Sequence, residues 1–142
     1  MADAFSRTVP LAMPLEIERA RGDGEEARLQ LAVFHASSLA FLDSYQANDW
    51  DLLPMPSWTV IGHEWTLYIA WKDADGATQV RGPSVGRTVG TMNFQSLFAL
   101  LELIRDSFKW LRSYYQRWYI SLLTAHMDSL DADSVASGRP AT

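Results

Sequence analysis

A chain of 142 residues with 48% hydrophobic side chains, including six Trp, five Tyr and six Phe, is long enough to bury the core of one domain and too apolar to stay disordered. Its formal charge of −5 gives no broad positive field, which excludes non-specific binding of polyanions by the whole surface. The lack of cysteine excludes disulfides, thiolate metal sites and a cysteine nucleophile.

The first residues, Met1-Ala-Asp-Ala-Phe-Ser-Arg7, have no basic start followed by an apolar run, so no secretory signal is expected. Residues 1 to 14 are broken by Pro10 and Pro14 and hold little more than one strand. Leu15 to Ala20 alternates apolar and charged residues, which predicts a strand. Leu15, Ile17 and Arg19 then share one face, and Glu16, Glu18 and Ala20 the other. Arg21-Gly-Asp-Gly24 is a turn. From Glu25 to about Gln46 no Gly or Pro interrupts the chain, and Leu29, Ala32, Val33, Ala36, Leu39 and Ala40 recur at helical spacing. Leu31, Phe34, Phe41 and Leu42 widen that stripe, so the helix is expected to lie buried against a sheet.

Asn48 to Ser57, with two prolines, predicts a loop. Trp58–Ile61 and Trp65–Lys72 predict strands around Gly62-His63-Glu64, and Asp73-Ala-Asp-Gly76 turns the chain into a hairpin strand over 77–81. Residues 82 to 90 form a connection, after which Thr91 or Asn93 suits a helix N-cap. A long helix follows, from Phe94 to about Ala125. Phe94, Leu97, Leu101, Ile104, Phe108, Leu111, Tyr115, Trp118 and Leu122 alternate spacings of three and four along it, a heptad seam suited to face the core. After Met127 the residues turn small and polar, so a domain over 1–127 and a disordered tail over 128–142 are expected. The most apolar run, Leu97 to Ile104, is far shorter than the ~20 residues of a membrane span, and with no secretory signal an intracellular, cytoplasmic or nuclear, protein is expected. The fold class is α/β: a small mixed sheet, one buried helix after the Glu18 strand, and a long C-terminal helix.

Several residues invite a chemical reading. Glu16 and Glu18 stand about 6.5–7 Å apart on one strand face, close enough to share a cation through water. The competing role is a charged, solvent-facing edge strand that discourages aggregation. His35, His63 and His126 lack metal-ligand spacing; His35 suits a hydrogen-bonded position at the core, and His63 a local hydrogen bond. The loop Arg81 to Gly90 precedes a helix N-terminus but lacks the Gly-Lys-Ser/Thr ending of a nucleotide-binding loop. Arg105, Lys109 and Arg112 form a basic line on the long helix, with Arg117 further on, interleaved with Trp110, Tyr114 and Tyr119 as on a nucleic-acid stacking surface. Glu102 and Asp106 are placed to pair with those cations instead. Leu100, Leu103, Trp110 and Tyr114 make a second apolar line on the same helix, which favours a homo-oligomer or a protein partner.

Three segments in order resemble the fungal PD-(D/E)XK nuclease-like domain: Ile17-Glu-Arg-Ala-Arg-Gly-Asp-Gly24; Leu29-Gln-Leu-Ala-Val-Phe-His-Ala36; and Val60-Ile-Gly-His-Glu-Trp65 with Ser84-Val-Gly-Arg-Thr88 before the long aromatic helix. The similarity spans roughly residues 13 to 119. It implies a restriction-endonuclease-like fold in which two carboxylates on adjacent strands hold Mg²⁺ and a lysine positions or activates the attacking water. By that resemblance Glu18 is the metal-binding acid and Gln30 matches a helix glutamine that some members aim at the same site; if the domain were a Mg²⁺-dependent nuclease, Glu16 or Asp23 would be the further candidate for the metal. The pattern departs from the family where its lysine should stand: position 20 is Ala, and Arg19 and Arg21 belong to the opposite strand face. Asp3 is the only acid before Glu16, so the chain reads as an N-terminally shortened member with an incomplete site. The expectation is a domain without ordinary nuclease activity and without a cofactor, acting by binding or assembly; analogy alone adds an accessory role in a fungal biosynthetic gene cluster. Two other classes stay open: a Mg²⁺-dependent nuclease, and an enzyme or binder of small molecules with a Trp-lined pocket.

Overall fold

The computed structural model describes residues 12–45, 52–83 and 89–136, with side chains described as far as Asp133. Five strands form one mixed sheet: β1 (Leu15–Glu18), β2 (Met55–Ile61), β3 (Glu64–Lys72), β4 (Thr78–Arg81) and β5 (Val89–Gly90). The order is β1-β2-β3-β4, with β5 also pairing β3. β1 and β2 run parallel, Glu16 beside Thr59 and Glu18 beside Ile61; every other pair is antiparallel. Parallel neighbours need a crossover, and helix α1 (Gly24–Asp43) supplies it.

The tight turns follow from local chemistry. Gly62 joins β2 to β3 at φ 60°, and Gly76 closes the β3–β4 hairpin at φ 78°, both in the left-handed region that glycine enters freely. Asp73 braces that hairpin by accepting the N–H groups of Asp75 and Ala77. A hydrogen bond from the Gln79 amide, joined by those two N–H groups, holds the Asp73 carboxyl below its usual range. β2 starts at Met55, three residues before the expected strand, and so carries Pro56 inside it. The neighbouring Trp58 N–H bonds Pro14 O, so the backbone nitrogen of Pro56, two residues earlier, also points to the β1 side, before β1 begins at Leu15. A strand nitrogen with no ladder partner is where proline is tolerated.

Each face of the sheet has its own helix. α1 starts at its N-cap Asp23, whose Oδ1 accepts the Glu25 N–H at 2.8 Å, and buries Ala27, Leu31, His35, Leu39 and Leu42. The expected stripe is therefore rotated: Leu29 and Val33 face outward. On the other face, α2 (Phe94–Trp110) packs Leu100 against Trp58 and Val89, with Leu103 and Ile104 beside them. Asn93, not Thr91, caps it, accepting the Ser96 N–H at 2.9 Å. A π-helical turn (Leu111–Tyr115) follows, its extra residue shown by the bond from Gln116 N–H to Leu111 O, and the helix continues as α3 (Gln116–Ala136). A π turn re-aims the apolar stripe. Before it the buried face carries Leu100; after it Tyr115, Tyr119 and Leu122 pack with Leu39, Leu42 and Met55 on the α1 side of the sheet.

Two expectations for the long helix are corrected here. In the N-terminal half of the predicted seam Phe94, Leu101 and Phe108 are exposed and only Leu97 and Ile104 are half-buried, while the second line turns inward through Leu100, Leu103 and Trp110. The helix also runs to Ala136, so 128–136, expected in the disordered tail, are helical; 137–142 lie outside the described residues. No helix among the described residues is long and apolar enough to cross a membrane.

Candidate functional site

The carboxylates are where the sheet meets α1. Glu16 and Glu18 are partly buried on the α1 side, whereas Leu15 and Ile17 are 45% and 65% exposed on the other. An edge strand normally turns its apolar residues inward. Here the covered face is the one β1 shares with Thr59 and Ile61, and Gly24 at the head of α1 abuts Ile61 there. Solvent-facing glutamates on an edge strand are therefore not what the structure has.

Gln30 lies above Glu16. With its amide turned so that both groups are satisfied, Nε2 donates to Glu16 Oε1 at 2.7 Å. Glu18 folds over the loop that leads into α1: a Cβ added at Gly22 would come 2.5 Å from Glu18 Cβ and 2.9 Å from Oε2. That approach requires glycine, and it leaves the carboxylate near a helix N-terminus, where backbone N–H groups favour negative charge. The structure thus brings Glu16, Glu18 and Gln30 together. Asp23 is committed elsewhere, as the α1 cap.

Position 20 does not join them. β1 ends at Glu18, so Ala20 sits in the following turn instead of sharing Glu18's strand face. Its Cα and Cβ each lie 3.0 Å from where a Gly62 Cβ would be, packed on the β2–β3 turn. Arg19 and Arg21 are exposed, and neither pairs with an acid among the described residues. Among those residues no three His, Asp or Glu side chains converge as a metal site would require. Among the described residues the acids stand on one strand and not two, Glu16 accepts from Gln30, and no amine accompanies them. Those described residues do not by themselves make up a catalytic Mg²⁺ centre. Asp3 lies outside the described residues.

Sequence reading missed the polar floor that continues from this pair. Thr59, beside Glu16, and Ser57 are buried on β2, and His35 is buried on α1. Among the described residues neither His35 ring nitrogen nor Ser57 Oγ has a hydrogen-bond partner, which corrects the expected hydrogen-bonded histidine. Burial lowers the His35 pKa to about 4. The signal was available in Ser57-Trp-Thr-Val60, a strand-like alternation partly hidden by the expectation of a loop through Ser57. His63 does bond, its Nδ1 lying 3.0 Å from Thr91 Oγ1, and His126 stacks edge-on to Tyr45 at 4.7 Å.

Arg105, Lys109 and Arg112 are exposed on the long helix. Arg105 pairs with Asp106 at 3.5 Å and Glu102 at 4.0 Å, and Lys109 with Asp106 at 3.2 Å. The hydrogen bond from Lys109 holds the Asp106 carboxyl below its usual range. Of the interleaved aromatics only Tyr114 is exposed; Trp110 is half-buried and Tyr119 buried. Residues 84–88 of the connection before α2 lie outside the described residues. An apolar pocket of about 270 Å³ lies on the sheet face opposite the carboxylates, walled by Pro56, Leu67, Ile69, Leu103 and Trp110 with Asp106 among its lining residues.

The mixed sheet, with a helix after the Glu18 strand and a long C-terminal helix, is consistent with the restriction-endonuclease-like fold that the resemblance implies. A family model of the PD-(D/E)XK nuclease superfamily matches residues 3–116, and the chain belongs to that superfamily. The match begins at residue 3, ahead of the segment near residue 13 where the resemblance was first legible. No curated protein and no solved structure matches the chain.

Proposed function

We propose that this PD-(D/E)XK domain retains the acid-and-glutamine frame of the superfamily without cleaving phosphodiesters, and works by binding or assembly. What supports the reading is Ala20: by the sequence resemblance it takes the place of the family's lysine, and it lies off the strand, against the Gly62 turn. Phosphodiester hydrolysis needs an activated water and a cation set over the developing negative charge. A positioned proton-transfer group contributes about 10²–10⁴-fold to such a step. An arginine cannot replace it as a base, because the guanidinium stays protonated. What remains, Glu18 over the head of α1 and Glu16 held by Gln30, is a hydrogen-bonded polar surface. An accessory role beside the enzymes of a fungal biosynthetic gene cluster suits a domain of this kind.

The test is incubation of the purified chain with labelled single- and double-stranded oligonucleotides in Mg²⁺ or Mn²⁺, beside Glu18→Ala. The reading predicts intact substrate in every lane. Metal-dependent products that disappear in Glu18→Ala would establish a nuclease and overturn it.

A further inference from the structure

α2 is apolar on two sides, and the sheet covers only one. Phe94, Phe98, Leu101 and Phe108 recur at spacings of four, three and seven, which places them on one stripe of the helix away from Leu100, Leu103 and Ser107. They are 81%, 65%, 51% and 59% exposed, and Met92, just before the helix, is 71% exposed. We propose that this row is a self-association surface, on which two copies of the chain pair their α2 helices antiparallel about a two-fold axis at Leu101.

Area, symmetry and charge each support a second copy as the occupant. A fully exposed large aromatic offers roughly 150–250 Å², so these five side chains expose roughly 600 Å² per copy. Two copies bury roughly 1,200 Å², the lower bound of a standard stable interface. The row is also self-complementary: Phe94 and Phe108 are equidistant in sequence from Leu101, so antiparallel pairing sets each against the other on the second copy. Charge decides the direction. Residues 94 to 101 carry no charge, whereas Glu102, Arg105, Asp106, Lys109 and Arg112 follow them. Antiparallel pairing lays each charged half over an uncharged one, with Arg105 already paired to Asp106 and Glu102. Parallel pairing would oppose Arg105 to Arg105 and Arg112 to Arg112, which is unfavourable.

The surface lies across the sheet from Glu16 and Glu18, so cleavage and mass are separate readouts and either can fail alone. Light scattering across micromolar to near-millimolar loading should give twice the 16.0 kDa chain mass. Phe98→Glu combined with Phe108→Glu should return it to 16.0 kDa with unchanged circular dichroism, since both side chains are exposed. Leu29→Glu, on the outer side of α1, should remain a dimer. Orientation is read from single cysteines, because the chain has none of its own. Helices packed 8–10 Å apart bring facing Cα atoms within disulfide range. Leu101→Cys should oxidise to a linked dimer, and Phe94→Cys should link to Phe108→Cys but not to itself. A wild type that stays at 16.0 kDa, or one that forms open-ended larger species, overturns the proposal. So does a dimer that survives the double substitution or is lost in Leu29→Glu, and self-linking of Phe94→Cys overturns the antiparallel geometry.

Discussion

His35 should make the fold sensitive to mild acid. It is fully buried on α1, neither ring nitrogen has a partner among the described residues, and Phe34 packs edge-on to it with ring centroids 5.7 Å apart. Desolvation disfavours the imidazolium and lowers the pKa from 6.5 to about 4. A base with a depressed folded-state pKa binds its proton more tightly when unfolded. The stability tied to neutral His35 is therefore whole above pH 6.5 and drains away as pH falls toward 4. The shift corresponds to about 3 kcal/mol in total, of which about 2 kcal/mol is lost between pH 7.5 and pH 5. Urea denaturation of wild type and His35→Leu across that range isolates the effect, because carboxylates and the other histidines titrate in both. The wild type should lose about 2 kcal/mol more than the variant on going to pH 5. At pH 7.5 His35→Leu should be no less stable, since a buried polar group without a partner costs about 1–3 kcal/mol. Parallel pH profiles for the two proteins would refute the reasoning and mean that the imidazole finds a partner or solvent.

Two further substitutions test the elements that frame the site. Asn93→Ala removes the acceptor for the Ser96 N–H and should cost about 1 kcal/mol in denaturant melts, while Asn93→Asp should restore most of it. Gly90→Ala would set a Cβ 1.9 Å from the His63 carbonyl oxygen, separating β5 from β3. It should cost about 1–3 kcal/mol, seen as a lower calorimetric Tm; a neutral result would mean that β5 is not held against that turn.

Local chemistry made parts of this fold legible. The β-rich run from Trp65 to Lys72 and the Asp73–Gly76 turn made the β3–β4 hairpin legible, and Asn93 is a cap whose type can be read before any coordinates. Facing was harder. Alternation divides Leu15–Glu18 into two faces without saying which is covered, and α1 settles that in favour of the glutamates. The same ambiguity hid the buried face of α1, since Leu29 and Val33 lie on the stripe as plausibly as Leu31 and His35. On α2, apolar residues on two sides made the seam undecidable from spacing, and the π turn at Leu111–Tyr115 broke its period. Pro54 and Pro56 concealed the start of β2, because a proline in a strand is permitted only by neighbours that the sequence does not reveal. For the candidate site, Glu18 and Gln30 were legible through the resemblance; the buried Ser57, Thr59 and His35 were not, because polar residues in a core are recognisable only once the layers are in place.

The most direct measurement is nicking of supercoiled plasmid by the wild-type chain in Mn²⁺, followed beside Glu18→Ala over a long incubation. If Ala20 leaves the frame without a means of handling the attacking water, the two time courses superimpose at the level of the protein-free control. Nicking by wild type alone would show that Glu18 commands a working metal centre.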